Sequence, residues 1–176
     1  MKLQWKSRLH RMVVAGVFAA LLAVLSQISI PLPTGIPVTL QTFAVALCGF
    51  ALGPGLGTAA VGVYLALGAV GVPVFAGFSG GIGSFVGMTG GYLWAFLPMA
   101  FLCGLGARQK NRALALTVGF LGLVICHLCG SFQFALVSAV SPWNAFLLAS
   151  APYLLKDAAS LVAAYLAAAA ILRSLE

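Results

Sequence analysis

The fold is decided by residues 12–30, MVVAGVFAALLAVLSQISI, a run that contains no charged side chain. A helix that spans a bilayer needs about 20 mostly apolar residues, and this run has that length. The rest of the chain is similar, because 62% of its 176 residues are hydrophobic and 6% are charged. Soluble domains carry roughly 25% charged residues, so the composition predicts an integral membrane protein.

Lipid offers the backbone no hydrogen-bond partners, so a chain this apolar is expected to cross the bilayer as α-helices. We predict an all-α, polytopic bundle of six transmembrane helices that forms a single domain over residues 1–176. The predicted spans are 12–30, 40–53, 56–72, 88–107, 113–140 and 145–172, with the helix-breaking turn Gly53-Pro54-Gly55 between the second and third. The basic start also fits a secretory signal peptide, but no small-residue cleavage site follows it, so we interpret residues 12–30 as the first span.

Apart from Lys156, the lysines and arginines are confined to three places. These are the segment before the first span (Lys2, Lys6, Arg8, Arg11), the connection between the fourth and fifth spans (Arg108, Lys110, Arg112) and the end of the last span (Arg173). The positive-inside rule puts all three in the cytoplasm, and six crossings require the same. The sequence therefore predicts cytoplasmic termini and a multi-pass protein of the bacterial cytoplasmic (inner) membrane. The net charge of +7 then indicates topology rather than nucleic-acid binding.

The segment after Pro73 is rich in glycine: residues 74–87 read VFAGFSGGIGSFVG. Each glycine costs a helix interior about 1 kcal/mol relative to alanine, so a regular helix is not expected here. The segment has no charge and contains three phenylalanines, unlike a solvated linker. Irregular backbone at membrane depth is tolerated where it is buried or lines a cavity, so we expect this segment to fold onto the bundle.

Asp157 is the one carboxylate within the predicted spans, because the other acidic residue, Glu176, ends the chain. A charge inside a span costs about 3 kcal/mol or more, which makes Asp157 a candidate site residue. Ser160 shares its helix face. Neighbouring helical positions point about 100° apart, so a direct pair between Asp157 and Lys156 is not expected. The alternative is that these two charges only neutralise each other or extend to the interface.

Further candidate site residues lie at the outer ends of other spans. They are Gln41, Thr89 and Tyr92, with Phe75, Gly77 and Phe78 in the glycine-rich segment. A few polar groups set in an apolar wall are typical of a small-molecule pocket. For the phenylalanines, the alternative is packing or contact with lipid.

Three alanines recur every four residues along the first span, at Ala15, Ala19 and Ala23. Small residues at this spacing form a smooth stripe that allows another helix to approach closely. The stripe predicts either packing within the bundle or docking onto a membrane partner.

Sequence signatures of catalysis are not found. The chain has no carboxylate pair within its spans and no Walker A motif, and the glycines at 81, 83 and 87 do not have the dinucleotide-binding spacing. The Cys126-His127-Leu128-Cys129 pair has metal-like spacing but lacks the further ligands that zinc needs. We therefore predict no enzyme activity, no metal and no cofactor.

Several segments resemble the signature segments of the BioY family, the biotin-binding S-components of energy-coupling factor (ECF) transporters. They are Ile30-Pro31-Leu32-Pro33, residues 37–45 (PVTLQTFAV), residues 73–78 (PVFAGF) and Thr89-Gly90-Gly91-Tyr92-Leu93. The resemblance extends from the first span to the last.

This resemblance implies a six-helix S-component that binds biotin from outside, beneath its outer loops. It also implies pairing with a transmembrane coupling subunit and two ATPase subunits, with Ala15, Ala19 and Ala23 as the docking surface. Asp157 would accept hydrogen bonds from the ureido N–H groups of biotin. The sequence departs from the family at Ser160, where a lysine is usual, and Lys156 is then the candidate cation.

Two other functions are compatible with the sequence. The first is a stand-alone secondary vitamin transporter or facilitator that uses Asp157 as a proton site. The second is a membrane scaffold whose alanine stripe binds a partner and which binds no small molecule.

Overall fold

The structure is a computed structural model that describes residues 7–30 and 36–174. Lys2, Lys6, the Pro31-Leu32-Pro33 motif and Glu176 lie outside the described residues. The helices are α1 (Arg8–Gln27), α2 (Gln41–Ala69), α3 (Gly83–Val86), α4 (Gly90–Gly106), α5 (Arg112–Ser138), α6 (Pro142–Ala149) and α7 (Leu154–Ser174). The strands are β1 (Ser29–Ile30) and β2 (Val38–Thr39), and single 3-10 turns cover Ala76–Phe78 and Ala151–Tyr153.

Four helical stretches are long and apolar enough to cross a membrane. They are Arg8–Gln27, Gln41–Ala69, Arg112–Ser138 and Pro142–Ser174, and the shorter helix Gly90–Gly106 is also apolar. The predicted class of helical, membrane-spanning protein is therefore confirmed. The two-residue strands were not predicted. They form an antiparallel ladder, with Ser29 opposite Thr39, that closes the connection between α1 and α2.

Helix α2 folds back on itself at Gly53. This glycine has φ 79° and ψ 175°, a conformation outside the helix and strained for any residue with a Cβ. A continuous helix would separate residues 41 and 64 by about 34 Å, yet the Gln41 side-chain amide lies 2.8 Å from the Tyr64 hydroxyl. The segment therefore forms a helical hairpin with arms 41–52 and 54–69, and the turn lies at the predicted Gly53-Pro54-Gly55 breaker.

Glycines allow the helices to pack at backbone distance. A Cβ added to Gly49 would collide with the carbonyl oxygen of Ala100, and one added to Gly104 would collide with the backbone at Gly53 and Pro54. Close approach of this kind is typical of membrane bundles, in which van der Waals packing rather than water exclusion holds helices together. The hairpin α2 and helix α4 consequently form the centre of the bundle.

The predicted sixth span is broken rather than continuous. Helix α6 ends at Ala149, and Ser150 leaves the helical region with φ −122° and ψ −50°. Pro152 has no N–H for the helical ladder and disfavours helical backbone in the residue before it, which accounts for the 3-10 turn at this point. The break lets a new helix, α7, begin at Leu154, so that Asp157 lies in its first turn.

The alanine stripe of α1 points mostly into the bundle. Ala15 and Ala19 are buried, and Ala23 is half-buried against the same core. Ala15 and Ala19 are therefore covered within the bundle in this conformation, and their role as a docking surface stays a prediction. The physical reason is that α1 packs its small side chains against α2, and the packing alternative explains the stripe. The small residues that α1 does expose are Gly16 and Ala20, one position further along the helix.

The packing of α4 against the hairpin turn generates a stability prediction. Gly104→Ala should lower the free energy of unfolding by about 1–3 kcal/mol or more, because its methyl group would have to displace the backbone at Pro54. The matched control is Gly62→Ala, where the added methyl group meets only the Leu97 side chain at 3.9 Å. The control substitution should leave the free energy of unfolding unchanged or raise it. Thermal unfolding of the two variants in detergent measures the difference, and equal melting temperatures would contradict this packing.

Candidate ligand-binding site

A cavity of about 280 Å³ lies between the hairpin α2, the helices α4, α5 and α7, and the irregular segments. This volume is near the lower end of the usual range for small-molecule sites. The structure brings together six of the residues proposed from the sequence. Those that line the cavity are Gln41, Phe75, Thr89, Tyr92, Lys156 and Asp157.

Three proposed site residues do not line the cavity. Phe78 is 72% exposed, and Gly77 sits beside it in the 3-10 turn with φ 67°. Ser160 is buried one helical turn further along α7. The polar face expected from Lys156, Asp157 and Ser160 is thus divided, with the first two at the cavity and the third within the packing.

Asp157 is buried, with 5% of its surface exposed, and its charge is compensated from three directions. Lys156 Nζ forms an ion pair with Asp157 Oδ1. His127 Nε2 lies 3.3 Å from Asp157 Oδ2. The first-turn position in α7 adds the positive end of the helix dipole. The expectation that Lys156 and Asp157 would not pair directly is therefore wrong, because the long lysine side chain bends back to its neighbour.

His127 is the main site residue that was not predicted. It lines the cavity, is 5% exposed and projects from the middle of α5. In the sequence it stood between two cysteines and drew attention only as part of a possible metal motif. An ionisable residue inside an apolar span was the signal that would have identified it.

A hydroxyl network holds the back of the His127 ring. His127 Nδ1 lies 3.0 Å from Ser150 Oγ, and Ser150 Oγ in turn lies 2.6 Å from Ser131 Oγ and 3.0 Å from the Tyr92 hydroxyl. Tyr92 also donates to the carbonyl oxygen of Ala149, at 2.5 Å. These contacts fix the ring from α4, α5 and the break between α6 and α7, so the imidazole presents Nε2 to the cavity.

Aromatic side chains supply an apolar wall. The Phe75 ring meets the Tyr64 ring edge to face at 5.3 Å and the Phe85 ring at 5.6 Å. Gln41 is held next to this wall, because its amide nitrogen donates to the Tyr64 hydroxyl and its amide oxygen accepts from Thr39 Oγ1 at 3.2 Å. A ring with one apolar side and one polar side would fit between Phe75 and Asp157.

The segment 74–87 closes the cavity as a roof, and two glutamines anchor it. Gln27, at the end of α1, donates to the carbonyl oxygens of Val74 and Phe75 at 3.0 and 3.1 Å, and its Oε1 accepts from Phe78 N at 3.0 Å. Gln133 of α5 donates to the carbonyl oxygens of Phe85 and Gly87, both at 2.8 Å. Side chains therefore satisfy the backbone groups that a regular helix would have satisfied.

The start of α7 anchors the other outer connection. The Tyr153 hydroxyl donates to the carbonyl oxygen of Ile36 at 2.6 Å, and Lys156 Nζ donates to that of Thr39 at 2.8 Å. Lys156 thus joins Asp157 to the β2 strand. Movement of the outer connection would disturb the charge environment of the cavity.

The cysteine–histidine pair does not form a metal cluster. Cys126 is buried against α4, whereas Cys129 is exposed. Within residues 7–30 and 36–174, no three His, Cys, Asp or Glu side chains are grouped so that they could hold a metal ion.

The family model that matches this chain and the proteins related to it in sequence carry the same family description. The family model for the BioY family matches residues 1–176. The chain is 46% identical over 125 residues to the biotin transporter BioY of Thermotoga maritima, covering 70% of this chain and 73% of that protein. It is 42% identical over 142 residues to the probable biotin transporter BioY of Pyrococcus horikoshii, covering 81% of this chain and 83% of that protein.

A solved structure shares the fold. The crystal structure of the S-component for biotin from an ECF-type ABC transporter superposes with a TM-score of 0.87, covering 98% of this chain and 95% of that one. The sequences are 24% identical, so this likeness concerns the fold.

The roof anchors generate a prediction on local opening. Gln27→Leu removes the hydrogen bonds to Val74, Phe75 and Phe78, so the amides of residues 74–79 should exchange with solvent about tenfold faster or more. Hydrogen–deuterium exchange with mass spectrometry measures this. The matched control is Gln109→Leu, whose hydrogen bond to Leu105 lies on the exposed surface and should not affect the roof. Unchanged exchange in the Gln27 variant would contradict the anchoring role.

Proposed function

The chain belongs to the BioY family, and from this membership we propose that it is the biotin-binding S-component of an ECF transporter. The family is one of transporters rather than enzymes, so ATP hydrolysis is assigned to partner subunits. The observation that carries the proposal is the roofed cavity lined by aromatic side chains and by Asp157, the one buried carboxylate among the described residues.

Biotin has the chemistry that this cavity requires. Its ureido group offers N–H donors, which suit the carboxylate of Asp157, while its sulfur-containing ring offers an apolar face to Phe75 and Phe96. We assign the recognition of the ureido group to Asp157. Lys156 compensates the negative charge of the Asp157 carboxylate. The hydroxyls of Ser79, Ser84 and Thr89 also line the cavity and are suited to the valerate carboxylate.

We place both termini in the cytoplasm and the roof on the outer face of the cytoplasmic membrane. The hairpin in α2 supports this, since two arms in place of one long helix would give six crossings and would put the start of α1, the α4–α5 connection and the end of α7 on one side. Apart from Lys156, the described lysines and arginines fall at these three places. Retention of positive charge in the cytoplasm accounts for that pattern.

We propose that a transmembrane coupling subunit and two ATPase subunits drive transport, and that the coupling subunit contacts α1. The apolar face of α1 supports this, because it exposes Val13, Val17 and Val24 around the small residues Gly16 and Ala20. The buried Ala15 and Ala19 lie on the opposite side of the helix. Docking would then use the outward face of α1 rather than the predicted alanines.

Uptake measurements separate this function from a stand-alone secondary transporter. Cells that express the chain with the coupling subunit and ATPases should accumulate labelled biotin, and an ATPase-inactive subunit should abolish accumulation. Accumulation without those subunits that disappears when the proton gradient is collapsed would favour the secondary transporter.

Mass spectrometry of the ligand that co-purifies from cells tests the substrate directly, and thiamine or riboflavin in place of biotin would overturn the proposal.

Asp157→Ala should weaken biotin binding about tenfold or more, because the ureido N–H groups would lose a buried, charged acceptor at a cost of roughly 1.5–3 kcal/mol. Isothermal titration calorimetry of the purified protein in detergent measures the affinity. The matched control is Ser160→Ala, one turn further along α7 and away from the cavity, which should change affinity by less than about twofold. Wild-type affinity in the Asp157 variant would reject the assignment.

A further inference from the structure

His127 and Asp157 are adjacent at the cavity and close enough to attract each other, but their contact is not aligned as a hydrogen bond. His127 Nε2 lies 3.3 Å from Asp157 Oδ2, yet among the described residues this nitrogen has no aligned hydrogen-bond partner. It is also almost fully buried, so water does not compensate it freely. A buried polar group without a partner costs free energy, and its position in a cavity wall indicates a ligand atom as the missing partner.

The groups around the His127 ring determine whether its Nε2 carries a proton. If Nε2 were unprotonated, its lone pair would face the Asp157 carboxylate, which is repulsive. The proton therefore belongs on Nε2, and Nδ1 accepts from the Ser150 hydroxyl 3.0 Å away. Ser150 can donate this proton because Ser131 Oγ, at 2.6 Å, has a proton of its own to donate to Ser150 Oγ. His127 thus offers an N–H donor next to the acceptor of Asp157.

We propose that His127 is a specificity-determining residue, whose Nε2–H donates to the ureido carbonyl oxygen while Asp157 Oδ2 accepts from the adjacent ureido N–H. This inference rests on the proposed function. The N–H and C=O of a ureido edge place nitrogen and oxygen roughly 2.2 Å apart, from standard bond lengths. Two slightly divergent hydrogen bonds therefore connect that edge to protein atoms separated by 3.3 Å.

The proposed contact makes His127 the donor to the ureido carbonyl oxygen. No residue was assigned to that oxygen from the sequence. Ser160 occupies a buried position off the cavity, and Lys156 already contacts Asp157 and the carbonyl oxygen of Thr39. His127 is the remaining nitrogen donor at the carboxylate among the described residues. An N–H donor suits a carbonyl oxygen, and the hydroxyl network behind the ring keeps it oriented.

The test compares three ligands by isothermal titration calorimetry: biotin, 2′-thiobiotin and desthiobiotin. Thiobiotin keeps both N–H groups but replaces the carbonyl oxygen by sulfur, a weaker acceptor, whereas desthiobiotin keeps the whole ureido group. His127→Phe keeps the ring volume and removes the donor. It should weaken biotin and desthiobiotin about tenfold and thiobiotin less than about twofold. His127→Gln, which restores an N–H donor, should recover part of the loss for biotin.

The outcomes are distinguishable. Equal weakening of all three ligands by His127→Phe would show that the ring only supports the fold of the site, and unchanged affinity would show that it makes no contact. Either result overturns the inference. The proposed function would still hold as long as the wild type binds biotin. A wild type that binds no biotin overturns both.

A second measurement does not depend on the variant folding. The chain has two histidines, so ¹⁵N-histidine labelling gives two imidazoles, and His10→Gln assigns them. The Nε2–H signal of His127 should shift on addition of biotin while that of His10 does not. A His127 signal that stays unchanged when biotin saturates the protein would overturn the inference.

Discussion

The structure depends on keeping the charge of Asp157 away from lipid. An unpaired buried carboxylate costs several kcal/mol, so the fold has to supply partners before the charge is tolerated. Lys156 provides one from the same helix, His127 provides a second from α5, and the break at Pro152 provides a helix start at the right position. The hydroxyls of Ser150, Ser131 and Tyr92 then orient the histidine. A polar layer therefore crosses a bundle that is otherwise apolar.

Buried polar groups of the roof also need hydrogen-bond partners, but here they belong to the backbone rather than to a side chain. Glycine-rich sequence does not form a long helix, so its carbonyl and amide groups require other donors and acceptors. Gln27 and Gln133 supply them from helices on either side of the cavity. The roof is therefore attached by a few side-chain hydrogen bonds, each worth about 1 kcal/mol, together with the buried side chains of Val74, Phe75 and Phe85. Local opening costs much less than global unfolding, as entry of a ligand from outside requires.

The sequence was sufficient for the features that depend on composition and local chemistry. Apolar runs predicted the spans, Gly53-Pro54-Gly55 predicted the hairpin turn, and the isolated carboxylate drew attention to Asp157. It was insufficient where the outcome depends on how helices rotate against each other. Which face of α1 carries Ala15 and Ala19 is decided by packing against α2, and the contact of His127 with Asp157 joins residues on separate helices. The break at Pro152 was not predicted, because residues 145–172 were expected to form one span, and its consequence for the depth of Asp157 required the structure.

The partners of Asp157 belong to the chain itself. Lys156 forms an ion pair with the carboxylate from the same helix, and His127 Nε2 lies 3.3 Å away on α5. Protein atoms therefore compensate the buried charge, whose cost without partners would be several kcal/mol. A ligand that forms hydrogen bonds with Asp157 adds to interactions that exist without it, so these hydrogen bonds contribute only the difference between the two states.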